Sequence, residues 1–196
     1  MNLYYTTTAG YNEAQPNPSI SLGGYKSSTL VGNDDFDNMF DEISIMSIRS
    51  GRDEYRAIII RNDFVVSMTN LEVKVVADPD AICTYKLAIA PLNGIDKYRR
   101  RFMEHVVTVN NKPFHATFVD MTPDAVLTIG NLAPEEEIGL WICRHIDKDA
   151  AKEQYENVCE PDLAVDPTGR VYKEVKHPTV ESINLDFTWQ YIKRIN

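Results

Sequence analysis

From Tyr55 onward the chain breaks into short stretches rich in β-branched and aromatic residues: YRAIIIR, LEVKVVA, CTYKLAIA, FHATFV, VLTIG, EIGLWICRHI and SINLDFTWQYI. Turn signals such as PDA, PLNG, MTPD and LAPEEE separate them. This succession predicts an all-β fold, an antiparallel β-sandwich of jelly-roll or immunoglobulin-like type. In the last stretch Ile183, Leu185, Phe187, Trp189 and Tyr191 alternate with Asn184, Asp186, Thr188 and Gln190, which makes one face apolar and the other wet. EIGLWICRHI is different: Ile138, Leu140 and Ile142 fall on one face, Trp141 and Cys143 on the other. A strand apolar on both faces is central in its sheet or is covered by a neighbouring subunit. DPTGR, Asp166 to Arg170, predicts a hairpin that joins DLAV to RVYKEV.

The period changes to a helical one in two places. Phe36, Met39, Phe40 and Ile43 fall at i, i+3, i+4 and i+7 and predict a two-turn helix with Asn33 or Asp34 as its cap. Asp35 and Asp37 then sit in the first turn, where the helix dipole favours acids. Ala151, Tyr155 and Val158, behind a capping Asp147, predict a second short helix on the surface. The first 30 residues, rich in Thr, Ser, Asn, Pro and Gly, have little periodicity and read as an extended arm. The predicted organisation is an arm over 1–30 and a single domain over 31–196, with a helix and hairpin inserted at 147–176. NLYYTTT has strand propensity, so the arm is expected to add to the sheet edge of a neighbour. The candidate interface residues are Tyr4, Tyr5, Gly23, Gly24, Tyr25 and Trp141.

Composition narrows the functional classes. A chain of 196 residues with 43% apolar content has room for one core. The net charge of −9 argues against broad binding to nucleic acid phosphates. The basic run KYRRRF, Lys97 to Phe102, is read as a solvated edge or half of a charged interface. No apolar run approaches the roughly 20 residues that span a bilayer. MNLYYTTTAGYNE does not have the layout of a secretory signal, so synthesis in a cytoplasm is expected. Cys83, Cys143 and Cys159 are far apart and read as free thiols.

Specific chemistry is scarce. Counted from Asn33 as a calcium loop, the acidic stretch has Asn38 and Ser44 where Gly and Glu are needed. Gly23 and Gly24 are not followed by the Lys-Ser/Thr of a phosphate loop and are read as permitting a bend or a close backbone approach. His105, His115, His145 and His177 are scattered, and His145-Ile146-Asp147 is read as capping. No catalytic residue, metal or cofactor is assigned, and the chain is expected not to be an enzyme. A rival reading is a sugar-binding module that stacks rings on Tyr4, Tyr5, Tyr11 and Tyr25.

The segments QPNPSISLGGYKSSTLV, DDFDNMFDEIS, GRDEYRAIIIRN, LTIGNLAPEEEIGLWICR and INLDFTW, in that order, resemble a group of tailed-bacteriophage virion proteins of β-sandwich type. That group carries an SLGGY-like segment, a short helix, a G-x-x-EYR strand, a Pro-Gly-Glu turn before a Gly-x-Trp-Ile strand, and a closing strand ending in Trp. This chain has Glu135-Glu136 where the group has the turn Gly, and it adds the insertion after Asp147. The resemblance implies a structural subunit of the virion neck or tail, or a capsid decoration protein. Its partners would be copies of itself and other virion proteins, without membrane or nucleic acid.

Overall fold

The computed structural model describes residues 1–32, 39–41, 43, 47, 50–76, 83–122, 124–148, 164–165, 171–172 and 184–191. The fold is antiparallel β, with almost no helix among these residues. Its strands are β1 (Asn2–Thr7), β2 (Gly23–Leu30), β3 (Arg52–Arg61), β4 (Met68–Val76), β5 (Cys83–Ala90), β6 (Gly94–Ile95), β7 (Arg101–His105), β8 (Val119–Asp120), β9 (Leu127–Leu132), β10 (Glu137–Ile146), β11 (Ala164–Val165), β12 (Val171–Tyr172) and β13 (Asn184–Tyr191). Eight of them form a curled sheet in the order β6-β7-β2-β1-β3-β10-β5-β8, and a smaller sheet runs β13-β4-β9.

β3 and β10 pair along their whole length, from Arg61 opposite Glu137 to Arg52 opposite Ile146. β5 flanks β10 on its other side. The expectation of a two-faced central strand is met: Leu140 and Ile142 pack with Ile58 and Ile60 on one face, while Trp141 and Cys143 pack with Ala57 and Ile59 on the other. The first face shares its core with Met68, Leu71, Val73 and Val75 of β4 in the smaller sheet. The second is covered by Leu22, Met103 and Val106, with Ala116 and Phe118 of the following loop. Burying both faces of one strand removes its whole apolar area from water, the largest favourable contribution available to a sheet.

The predicted arm is built into the large sheet. β1 lies between β2 and β3, with Tyr5 opposite Ile58 and Thr6 opposite Lys26. Its polar residues satisfy buried backbone groups instead of meeting water. Thr6 N–H donates to Ser21 Oγ at 2.8 Å, Ser21 Oγ–H donates to the Ala57 carbonyl at 2.6 Å, and Gly23 N–H donates to Thr6 Oγ1 at 2.9 Å. A Ser- and Thr-rich composition therefore served an interior role.

Gly23 and Gly24 do what the sequence asked of them. Both have positive φ, at 95° and 100°. A Cβ on Gly23 would overlap the Glu104 carbonyl oxygen, and one on Gly24 would come within 2.5 Å of the Thr7 carbonyl oxygen. Only glycine lets β2 run between β1 and β7 at this distance.

The helix predicted over Phe36 to Ile43 is not formed where the chain is described. Met39 and Phe40 lie in a bend, and Asp41 and Ile43 have no regular structure. Met39, Phe40 and Ile43 are buried all the same. The backbone carbonyls of Met39 and Asp41 accept from arginines of the sheet, described below, which replaces i to i+4 bonds a helix would use. Asn33 to Asn38 lie outside the described residues, as does the predicted helix beyond Lys148. The predicted hairpin is present as β11 and β12, Ala164 opposite Tyr172 and Val165 opposite Val171.

Candidate functional site

Four arrangements gather the charged and aromatic residues. The first is interior. On β3, Glu54 and Arg56 share the face of Ile58, and register places Arg144 of β10 opposite Glu54. Arg144 Nε donates to Glu54 Oε2 at 3.0 Å, and Arg52 also pairs with Glu54. A terminal nitrogen of Arg144 donates to the Asp41 carbonyl at 2.8 Å, and Arg56 Nε to the Met39 carbonyl at 2.9 Å. The two guanidinium groups lie 4.6 Å and 5.1 Å from the centre of the Phe40 ring. Burial draws the Arg56 proton affinity down, with Asp41 and Glu54 opposing. Both arginines are 1% exposed, and the group clamps the Met39–Ile43 segment onto the core. The clamp is structural, since every donor used here ends on the chain's own oxygens.

On the opposite face of the same strands, Cys143, Tyr55, Asp53 and His145 form a row. His145 Nδ1 lies 2.6 Å from Asp53 Oδ1, and the Tyr55 hydroxyl donates to Asp53 Oδ2 at 3.2 Å. The imidazole thus finds a carboxylate across the strand at Asp53. Burial, reinforced by Asp53, pushes the Cys143 thiol up to about 12. This is the opposite of the depressed value that makes a thiolate nucleophile.

The surface carries a cleft of about 660 Å³ lined by Tyr11, Arg61, Leu92, Arg99, Arg100, Arg101 and Glu135 to Glu137. The Tyr11 hydroxyl and an Arg61 nitrogen both donate to Glu137 Oε1, at 3.0 and 3.2 Å. Burial and the Glu137 charge raise the Tyr11 proton affinity. On one side the basic run forms the tip of the β6–β7 hairpin. Asp96 Oδ1 accepts the N–H groups of Tyr98 and Arg100 at 2.8 Å each, which fixes that turn. On the other side stands the loop between β3 and β4. There the buried Asn62 accepts from Phe64 N–H and donates to the Val66 and Leu132 carbonyls.

Beyond the hairpin lies a second hollow of about 400 Å³, with walls from Ala90, Pro91, Gly94, Phe102, Ala116 and Trp141. Glu104 and His115 border it. The Glu104 carboxylate accepts the backbone N–H groups of Phe114 and His115 at 2.7 and 2.9 Å, stapling the loop after β7.

The candidate interface residues divide sharply. Tyr5 and Trp141 are core residues, and Gly23 and Gly24 are enclosed by backbone, so none of the four offers a surface. Tyr4 and Tyr25 are half-buried: Lys26 Nζ lies 4.1 Å over the Tyr4 ring, and Tyr25 packs on Phe102 at 5.2 Å. A Tyr in a strand looks the same whether it faces core or water, and only the register decides. The sequence reading passed over Phe64, Val65 and Val66, exposed in a turn. Three apolar residues directly after Asn62-Asp63 were the available signal. Among the described residues no group of three or more His, Cys, Asp or Glu could hold a metal, and no helix is long and apolar enough to cross a membrane. Comparison with protein-family models, with curated proteins and with solved structures finds no match.

Proposed function

We propose that the chain is a non-enzymatic structural subunit of a tailed-bacteriophage virion, placed in the neck or tail and working through contacts with copies of itself and with other virion proteins. We read its two sheets and shared core as a β-sandwich. The observation that carries the reading is the set of exposed apolar side chains around the core: on loops Val65 at 93%, Phe114 at 87%, Val107 at 80% and Tyr98 at 65%, and in β6 Ile95 at 63%. Apolar groups held out in water on ordered loops mark surfaces completed by another protein. The order of the virion-like segments supports the same reading. SLGGY falls at the start of β2, GRDEYR on β3, and GLWICR on β10.

The test is to tag the chain, purify the particles and image the label. Label at the neck or tail supports the proposal. Regular label over the shell favours the decoration protein, and particles without the chain overturn both. A sugar-binding reading draws on the hollow, which Phe102 and Glu104 line. Glycan binding lost on Phe102→Ala would favour it.

A further inference from the structure

We propose that the cleft beside the β6–β7 hairpin is a docking site for an acidic peptide segment of a protein partner, whose carboxylates meet Arg99, Arg100 and Arg101. This rests on the reading of a subunit that works through protein contacts, and it names the chemistry of one of them. The cleft is lined by both signs of charge, the three arginines from the hairpin and Glu135 to Glu137 from the turn into β10. The acids are already engaged. Glu137 Oε1 accepts from the Tyr11 hydroxyl at 3.0 Å and from Arg61 at 3.2 Å, Glu135 pairs with Arg61, and Glu136 Oε2 accepts the Ala133 N–H at 2.7 Å. The arginines are exposed, and among the described residues Arg99 and Arg101 have no ion pair. The Arg100 guanidinium lies over rings, 5.3 Å from the centre of Tyr98 and 5.8 Å from that of Tyr11. The unpaired charge in the cleft is therefore positive.

The hairpin tip is held in shape before a partner arrives. Asp96, the acid within the turn, uses Oδ1 to accept the N–H groups of Tyr98 and Arg100. Arg99 N–H donates to the Asp96 carbonyl at 3.0 Å, and Asp96 N–H to the Arg100 carbonyl at 3.1 Å. Tyr11 is fixed in turn by Glu137, which anchors the ring beside Arg100. A guanidinium stacked on rings keeps its edge N–H groups for a carboxylate, which it holds with two parallel bonds. A site ordered in this way loses little conformational entropy on docking. The acids in the lining select the kind of anion. A nucleic acid is charged at every phosphate and would bring some of them against the exposed Glu135 and Glu136, on a chain of net charge −9. A peptide can set its acids against the arginines and uncharged residues against the glutamates. The volume of about 660 Å³ is also more than a single small anion fills, and Leu92 and Tyr11 in the lining offer apolar surface to side-chain stems.

Fluorescence anisotropy of a labelled peptide of alternating Asp and Ser, titrated with the full chain, tests this. Binding is expected, weakening as salt is raised, and a peptide with Asn in place of Asp should not bind. Arg101→Glu is expected to weaken binding by about 10-fold or more, the loss of a charge-assisted pair. Lys112→Glu, at an exposed base outside the cleft lining, should leave it unchanged. Melting curves check that the variants are folded. Arg99→Gly removes a guanidinium and suits the φ of 62° at that position, so it replaces Arg101→Glu if that variant unfolds. Equal losses from Lys112→Glu and Arg101→Glu would show attraction without a site and overturn the proposal. Single-stranded DNA that binds as tightly as the peptide, and is lost on Arg101→Glu, would overturn the choice of a peptide. Absence of peptide binding overturns the docking site, and the label on particles then decides the virion reading separately.

Discussion

Glu135 occupies a position that favours glycine. Its φ is 63°, with Pro134 before it and the Glu136 N–H bonded back to the Ala133 carbonyl at 3.0 Å. Proline second and a left-handed residue third is the pattern of a type II turn. A side chain in the left-handed region costs about 1–2 kcal/mol, whereas the pair Glu135 makes with Arg61 is long, at 3.7 Å, and exposed pairs contribute little. Glu135→Gly is therefore expected to stabilise the fold by about 1 kcal/mol, as read by urea denaturation; a loss of stability would mean the ion pair outweighs the strain. Glu104 makes a pH-dependent contribution. Burial raises its proton affinity, but the His115 and Phe114 N–H donors prevail and hold its carboxyl below the ordinary 4.5. With the folded value depressed, its contribution is complete above pH 4.5 and is lost as pH falls through the lower folded value. The stability gap between wild type and Glu104→Gln should be constant at neutral pH and shrink below pH 4.5; a gap that persists in acid would show that charge is not the cause.

At the scale of elements, Met39, Phe40 and Ile43 pack into the core against the large sheet, and the first strand is built into that sheet. Phe40→Ala removes the ring between Arg56 and Arg144 and is expected to cost about 3–5 kcal/mol. Chelator should leave the melting temperature unchanged in wild type and variant alike, and a chelator-sensitive melt would restore a metal loop at Asn33 to Ile43. Deleting residues 1–10 removes β1 from between β2 and β3 and is expected to unfold the chain, seen as loss of the cooperative melt. A folded deletion variant would return these residues to the role of a detachable arm. The strands β3, β4, β5, β9, β10 and β13 were legible from β-branched runs, whereas FHATFV is loop as far as Phe118 and enters a strand only at Val119; β10 was legible down to its two faces, because alternation records burial directly. The glycines of β2 were read as permitting a bend or a close backbone approach, and both have positive φ with backbone pressed against them. What the sequence concealed was set by partners distant in the chain. Arg56 and Arg144 take the carbonyls of Met39 and Asp41, so an apolar spacing that fits a helix is satisfied by a bend. Thr6 and Ser21 bury their hydroxyls on each other and on Ala57, so a polar composition that fits a loop supports an inner strand.

Across the whole molecule, a net charge of −9 coexists with a basic hairpin tip, and the cleft sets Arg99 to Arg101 opposite Glu135 to Glu137. The charge is patterned at the end where the exposed loops stand. The strand order carries a consequence for synthesis. β1 emerges from the ribosome first, yet one of its neighbours in the sheet is β3, and β3 in turn is completed by β10, which begins at Glu137. Pairing between segments so distant in the chain is slow, because the intervening chain must be closed into a loop before the contact forms. A nascent chain stalled at Leu132 has all the strands up to β9 and none of the strand that buries Trp141, Leu140 and Ile142. It is expected to be cut readily by protease on the ribosome, whereas the released full chain resists; equal resistance would show that β1, β2 and β3 hold together without β10. For much of its translation, then, the growing chain exposes Ile58, Ile59 and Ile60 on unpaired strands, and its yield in a cell should rise with the supply of chaperones that hold such segments until the later strands arrive.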